Sequence, residues 1–121
     1  MAHILIVEDN YLTYQLLYYF LRRKNHIIHQ ASNGMEALSV LKENKIDLII
    51  TDINMPEMDG ITLLDTIRSS DHLRKVPVIV LTASGLEHMK QLTMEKGASA
   101  FLSQPFSSIE LGKVVSEFLG A

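Results

Sequence analysis

The chain contains no cysteine. Disulfides, thiolate metal sites and thiol nucleophiles are therefore excluded, and the absence fits a reducing compartment. Positive charge is not in excess either: 11 Lys and Arg stand against 14 Asp and Glu, for a net charge of -3. A basic footprint for nucleic acid is missing. The local run Arg22-Arg23-Lys24 falls at the end of a helical pattern, where cations suit the helix dipole. Apolar runs are short, and none reaches the roughly 18 residues needed to span a membrane. Met1-Ala2-His3 leads straight into apolar residues with no basic leader or small-residue cleavage site. No secretory signal is expected, and the cytoplasm is the expected location.

What is present is ordinary for a globular protein: 47% hydrophobic and 21% charged over 121 residues. That length suits one domain, 1–121, with a single real core. Along it, short apolar runs alternate with helical patterns. Ile4-Leu5-Ile6-Val7 is the first strand, and a helix follows from Tyr11 to Lys24. In that helix Leu12, Leu16 and Phe20 form a spacing-of-four row expected to face inward. Tyr11, Tyr14 and Tyr18 are expected on its outer side, either as a partner surface or as plain surface tyrosines. The second strand is read at His26–Ala31 and the second helix at Met35–Asn44, after an Asn33-Gly34 turn. The remaining strands are read at Ile46–Thr51, Val76–Leu81 and Ser99–Ser103. Helices are read at Ile61–Ser70, Leu86–Lys96 (closed by Gly97) and Ser107–Leu119, the last capped through Ser107 or Ser108 with Glu110.

Apolar strands separated by crossover helices imply an α/β, doubly wound parallel sheet covered on both faces. Such sheets carry their chemistry just beyond the carboxyl ends of the strands. Reading those positions gives Glu8 and Asp9 after strand one and Asp52 with Asn54 at strand three. Thr82 ends strand four, and Gln104-Pro105 follows strand five. Three carboxylates on one rim repel by roughly 3 kcal/mol per pair at about 5 Å and an effective dielectric of 20. Protonation or a bound cation relieves that repulsion. Oxygen-only ligands favour a hard ion, Mg2+ or Mn2+.

The run Ile4-Leu5-Ile6-Val7-Glu8-Asp9-Asn10, the block from Asp47 to Gly60 and Leu81-Thr82-Ala83 resemble response-regulator receiver domains of the CheY-like superfamily. The match covers essentially the whole chain in order and spacing. The resemblance implies a flavodoxin-like sheet of order 2-1-3-4-5 with five helices. It makes Asp52 the phosphoacceptor, with Glu8, Asp9 and the backbone carbonyl of Asn54 around a Mg2+ ion that Asp52 also binds. It makes Thr82 the hydroxyl that grips the phosphoryl group and Phe101 the switch aromatic, though Phe101 also reads as plain core. The implied partners are a histidine kinase or histidine phosphotransfer protein and a downstream protein target, with no nucleic acid and no membrane.

One position departs from the family pattern. Receiver domains usually carry lysine before the proline after strand five, where this chain has Gln104. A neutral amide bond contributes about 1 kcal/mol where a charged one gives about 1.5–3. Slower phosphorylation or weaker coupling is expected. The alternative is a pseudo-receiver, an interaction module that works without phosphate. A turnover enzyme is not expected, because no general acid stands near Asp52.

Overall fold

A computed structural model describes residues 1–53, 59–83 and 87–120. Five short apolar runs pair into one sheet because each lacks the length to bury itself alone. The strands are β1 (His3–Val7), β2 (Ile27–Ala31), β3 (Leu48–Asp52), β4 (Val78–Thr82) and β5 (Ala100–Ser103). All pairings are parallel, and the order is β2-β1-β3-β4-β5, as the family resemblance implies. The α-helices are α1 (Tyr11–Arg23), α2 (Gly34–Glu43), α3 (Gly60–Ser69), α4 (Lys90–Glu95) and α5 (Ser108–Leu119).

Strand alternation builds two cores, one on each face. Leu5 and Val7 of β1 pack with Ala37 and Leu41 of α2 and with Leu63, Leu64 and Ile67 of α3. Ile4 and Ile6 turn the other way, onto Leu17 and Leu21 of α1 and Leu111 and Val115 of α5. Burial on both faces explains why these strands read as continuous apolar runs. Local chemistry sets the helix starts. Asn10, Asn33 and Asp59 cap α1, α2 and α3, each accepting from a backbone N–H three residues on. Ser107 and Glu110 form a reciprocal capping box on α5, as the sequence implies.

The closed end of the sheet, opposite the rim, is tied by Arg68. Its Nε donates to the Gly97 carbonyl at 2.8 Å, and its Nη1 donates to the carbonyls of Val76 at 2.7 Å and Arg74 at 3.1 Å. Gly97, which follows α4, has φ +105°, and a Cβ there would lie 2.9 Å from Cγ of Arg68. Glycine is required for this turn on both counts.

Several expectations are corrected. Strands β2, β3, β4 and β5 begin later than read, and β3 and β4 run on to include Asp52 and Thr82. Asp47 lies just before β3, where its N–H donates to the His3 carbonyl and its carboxylate accepts from the His3 N–H, each at 2.8 Å. The fourth helix, read from Leu86, opens as a 3-10 turn at Glu87–Met89 and becomes α-helical only at Lys90; Leu86 itself lies outside the described residues. The phase of α1 also differs. Leu12 and Leu16 are 72% and 74% exposed, while Tyr14 is buried beside Leu17 and Leu21. Tyr18 is half-buried against the same core, so of the three tyrosines only Tyr11 lies on the open face. The helix is apolar on nearly every side, so more than one row fits a helical period. Packing against β1 and α5 decides which row turns inward.

This phase has a direct consequence for stability. Leu17→Ala is expected to destabilise by about 2–5 kcal/mol through a cavity under α1. Leu16→Ala, one residue away, is expected within about 0.5 kcal/mol of wild type. Urea unfolding of the two variants checks the assignment, and the reverse order would restore the row at Leu12, Leu16 and Phe20.

Candidate phosphoacceptor and metal site

The rim at the carboxyl ends of β1 and β3 gathers the acidic residues that the sequence places there. One carboxylate oxygen from each of Glu8, Asp9 and Asp52 lies within 4.8 Å of the other two. Burial falls in steps across the set: Glu8 is 3% exposed, Asp52 half-buried and Asp9 exposed. Backbone bonds fix the arrangement. The N–H of Glu8 donates to the Ala31 carbonyl at 3.0 Å, and the N–H of Asn10 donates to the Glu8 carboxylate at 3.0 Å. The N–H of Ile53 donates to Oδ1 of Asp52 at 2.7 Å.

Gly60 holds the floor of the rim. Its N–H donates to the Ile53 carbonyl at 2.9 Å, and a Cβ on it would lie 2.5 Å from the Asp52 carbonyl oxygen. No larger residue lets α3 approach β3 this closely.

Burial pushes the Glu8 carboxyl up from 4.5 to about 7, and the carboxylates of Asp52 and Asp9 push the same way. A side-chain hydrogen bond with Asp52 pushes the Glu8 carboxyl the same way. The donor set is all oxygen, crowded and of one sign. It fits a hard divalent cation.

The other predicted residues occupy β4 and β5. Thr82 is fully buried, its hydroxyl 3.5 Å from the Ala83 carbonyl. Val78 and Val80 face the core shared with α2 and α3, so alternation puts Thr82 on that face too. Phe101 packs half-buried on the same face, with Val80 opposite it across the ladder. Thr82 and Phe101 are therefore diagonal neighbours. The backbone N–H of Gln104 donates to the Thr82 carbonyl at 2.8 Å. Gln104 lines a cleft with Thr13, Leu16, Pro105 and Phe106. Asn54 lies outside the described residues. The cleft itself is invisible in the sequence; Pro105-Phe106 following Gln104 is its one local trace.

Residues 4–116 match the response regulator receiver domain. The chain belongs to the response regulator receiver family. The receiver is 31% identical to the polar-differentiation response regulator DivK of Brucella anthropi, over 97% of this chain and 95% of that protein. It is 40% identical to the transcriptional regulatory protein SrrA of Staphylococcus aureus over 89% of its own residues, which span 44% of that regulator. Among solved structures it is similar to the receiver domain of a sensor histidine kinase from Pseudomonas aeruginosa, described with a magnesium ion coordinated in its active site cleft. That match has a TM-score of 0.90 at 28% identity, covering 99% of this chain and 98% of the other. The receiver is thus a signalling module of two-component systems. Among its described residues no helix is long and apolar enough to cross a membrane.

The raised Glu8 carboxyl sets a pH dependence. Native Glu8 holds its proton to about pH 7 against 4.5 when unfolded, so the native state binds more protons in that window. Without divalent cations, stability is expected to fall as pH rises from 4.5 to 7 and then to level off. Glu8→Gln is expected to remove that contribution, worth at most about 3 kcal/mol. Urea midpoints of both proteins across the window check it; parallel curves would place the carboxyl at its ordinary value.

Proposed function

We propose that this receiver accepts a phosphoryl group on Asp52 from a phosphohistidine of a histidine kinase or histidine phosphotransfer protein. The observation that carries this reading is the convergence of Glu8, Asp9 and Asp52 at the carboxyl end of a parallel sheet. An oxygen of the Asp52 carboxylate attacks phosphorus as the P–N bond breaks, and the imidazole leaves with the bonding electron pair. Hydrogen bonding from the Ile53 N–H orients the Asp52 carboxylate.

Asp9 and Asp52 would hold a Mg2+ or Mn2+ ion directly, with Glu8 acting mainly through water and the Asn54 carbonyl as a further ligand. When bound, the ion neutralises charge on the transferring oxygens. The product adds about -1.5 to -2 of charge, which draws the Thr82 hydroxyl. The space it vacates lies beside Phe101, whose turn inward would carry the change to a downstream protein target.

The docking face for the phosphodonor is α1. Tyr11, Leu12, Leu16 and Tyr19 are all more than half exposed, on the helix that starts one residue beyond Asp9-Asn10. Apolar residues three and four apart fit the side of a partner helix. The cytoplasm, where such donors act, is the corresponding location. Gln104 sustains a second reading, a pseudo-receiver that binds partners without phosphate.

Incubation with acetyl phosphate and Mg2+ separates the two. One phosphoryl mass, base-labile and lost in Asp52→Asn, is expected by intact mass spectrometry; full labelling of Asp52→Asn would remove the assignment. Asp9→Ala is expected to weaken Mg2+ binding about tenfold or more by calorimetry. Unchanged affinity would take Asp9 out of the ligand set.

A further inference from the structure

The rim gathers the carboxylates of Glu8, Asp9 and Asp52, with oxygens within 4.8 Å of one another. A divalent ion added to three ionised carboxylates leaves a formal -1, before any phosphoryl group arrives. The electrostatic complement of such a site is a further cation.

A place for one adjoins the rim. Thr13, Leu16, Gln104, Pro105 and Phe106 line a cleft of about 340 Å³. Both of its walls are continuous with the acidic site. On one side the Thr13 N–H donates to the Asn10 side chain, and the Asn10 N–H donates to Glu8. On the other, the Gln104 N–H donates to the carbonyl of Thr82, and the preceding residue Leu81 stands beside Asp52 in the sheet.

The lining suits one side-chain chemistry. Leu16 and the ring of Phe106 offer apolar and aromatic surface, and Gln104 offers an amide oxygen that accepts a hydrogen bond. None of these residues is charged. A guanidinium group is planar and weakly hydrated; it packs on an aromatic face while donating in its own plane. An ammonium holds its water more strongly and gains less from this surface.

We infer that the cleft receives an arginine side chain presented by the protein that docks on α1, completing the charge balance of the phosphoacceptor site in trans. The inference rests on the phosphoacceptor reading. Leu16 belongs to both the exposed α1 stripe and the cleft, so a helix lying on the stripe borders the opening. Gln104 is then a receiving group for a guest cation.

The test uses ethylguanidinium chloride as the probe, titrated into isotopically labelled protein and followed by NMR. Saturable millimolar shifts confined to Thr13, Leu16, Gln104 and Phe106 are expected, larger than those from n-propanol and abolished in Gln104→Lys. Equal shifts with n-propanol, or shifts that persist in Gln104→Lys, overturn the proposal. Shifts at these residues that appear on concentrating the protein alone mean that a second copy fills the cleft, and overturn it too. In parallel, ethylguanidinium is expected to speed acetyl phosphate labelling about threefold or more over tetramethylammonium, in wild type but not in Gln104→Lys. Equal rates in the two salts overturn the proposal. A complete absence of labelling overturns the phosphoacceptor reading instead, and the NMR shifts still decide the cleft.

Discussion

Like charges held together against their repulsion are the constraint around which this receiver is organised. Glu8, Asp9 and Asp52 bring carboxylate oxygens within 4.8 Å of one another, an arrangement an unfolded chain would avoid. The sheet imposes it. Ile4 to Val7 and Leu48 to Ile50 are wholly buried, so β1 and β3 cannot shift to relax the acids at their ends. Apolar burial at about 25 cal/mol per Å² easily outweighs a few kcal/mol of repulsion. The strain surfaces instead at Glu8, whose carboxyl is pushed up to about 7 by burial first, with the carboxylates of Asp52 and Asp9 acting the same way. A divalent cation at the rim would compete with the proton on Glu8.

The same rigidity gives the other side of the rim its meaning. Thr82 is buried at the end of β4, and Phe101 is its diagonal neighbour on β5, facing the side of the sheet that also carries α4. Thr82 follows Leu81, the partner of Asp52 across the ladder, and its diagonal neighbour Phe101 is only partly covered. The alternation of the strands creates this adjacency without any specific bond between the two residues.

How much of this was legible depended on whether a feature is written locally. The buried strands were, because burial on both faces leaves an unbroken apolar run such as Leu48-Ile49-Ile50. The rim residues followed from them, since a parallel sheet puts the residue after each strand on one edge. Capping was legible at Ser107 and Glu110, where both partners lie three residues apart. The phase of α1 was not, because Tyr14, Leu16, Leu17 and Phe20 all fit some apolar row and only packing against β1 and α5 chooses among them. Gly112 takes part in that choice: a Cβ there would lie 3.2 Å from Cζ of Phe20. The cleft beside Gln104 was equally hidden, because its walls come from α1 and the segment after β5.

Arg68 gives the molecule a fixed end. One guanidinium grips carbonyls of Arg74, Val76 and Gly97, with Nη2 3.4 Å from the Ser99 hydroxyl, and so binds the segment entering β4 to the turn leaving α4. In the sequence it is an ordinary charge near the end of a helix. Loss of this one side chain would take a hydrogen bond from three backbone carbonyls at once, on two segments that lie more than twenty residues apart in the chain.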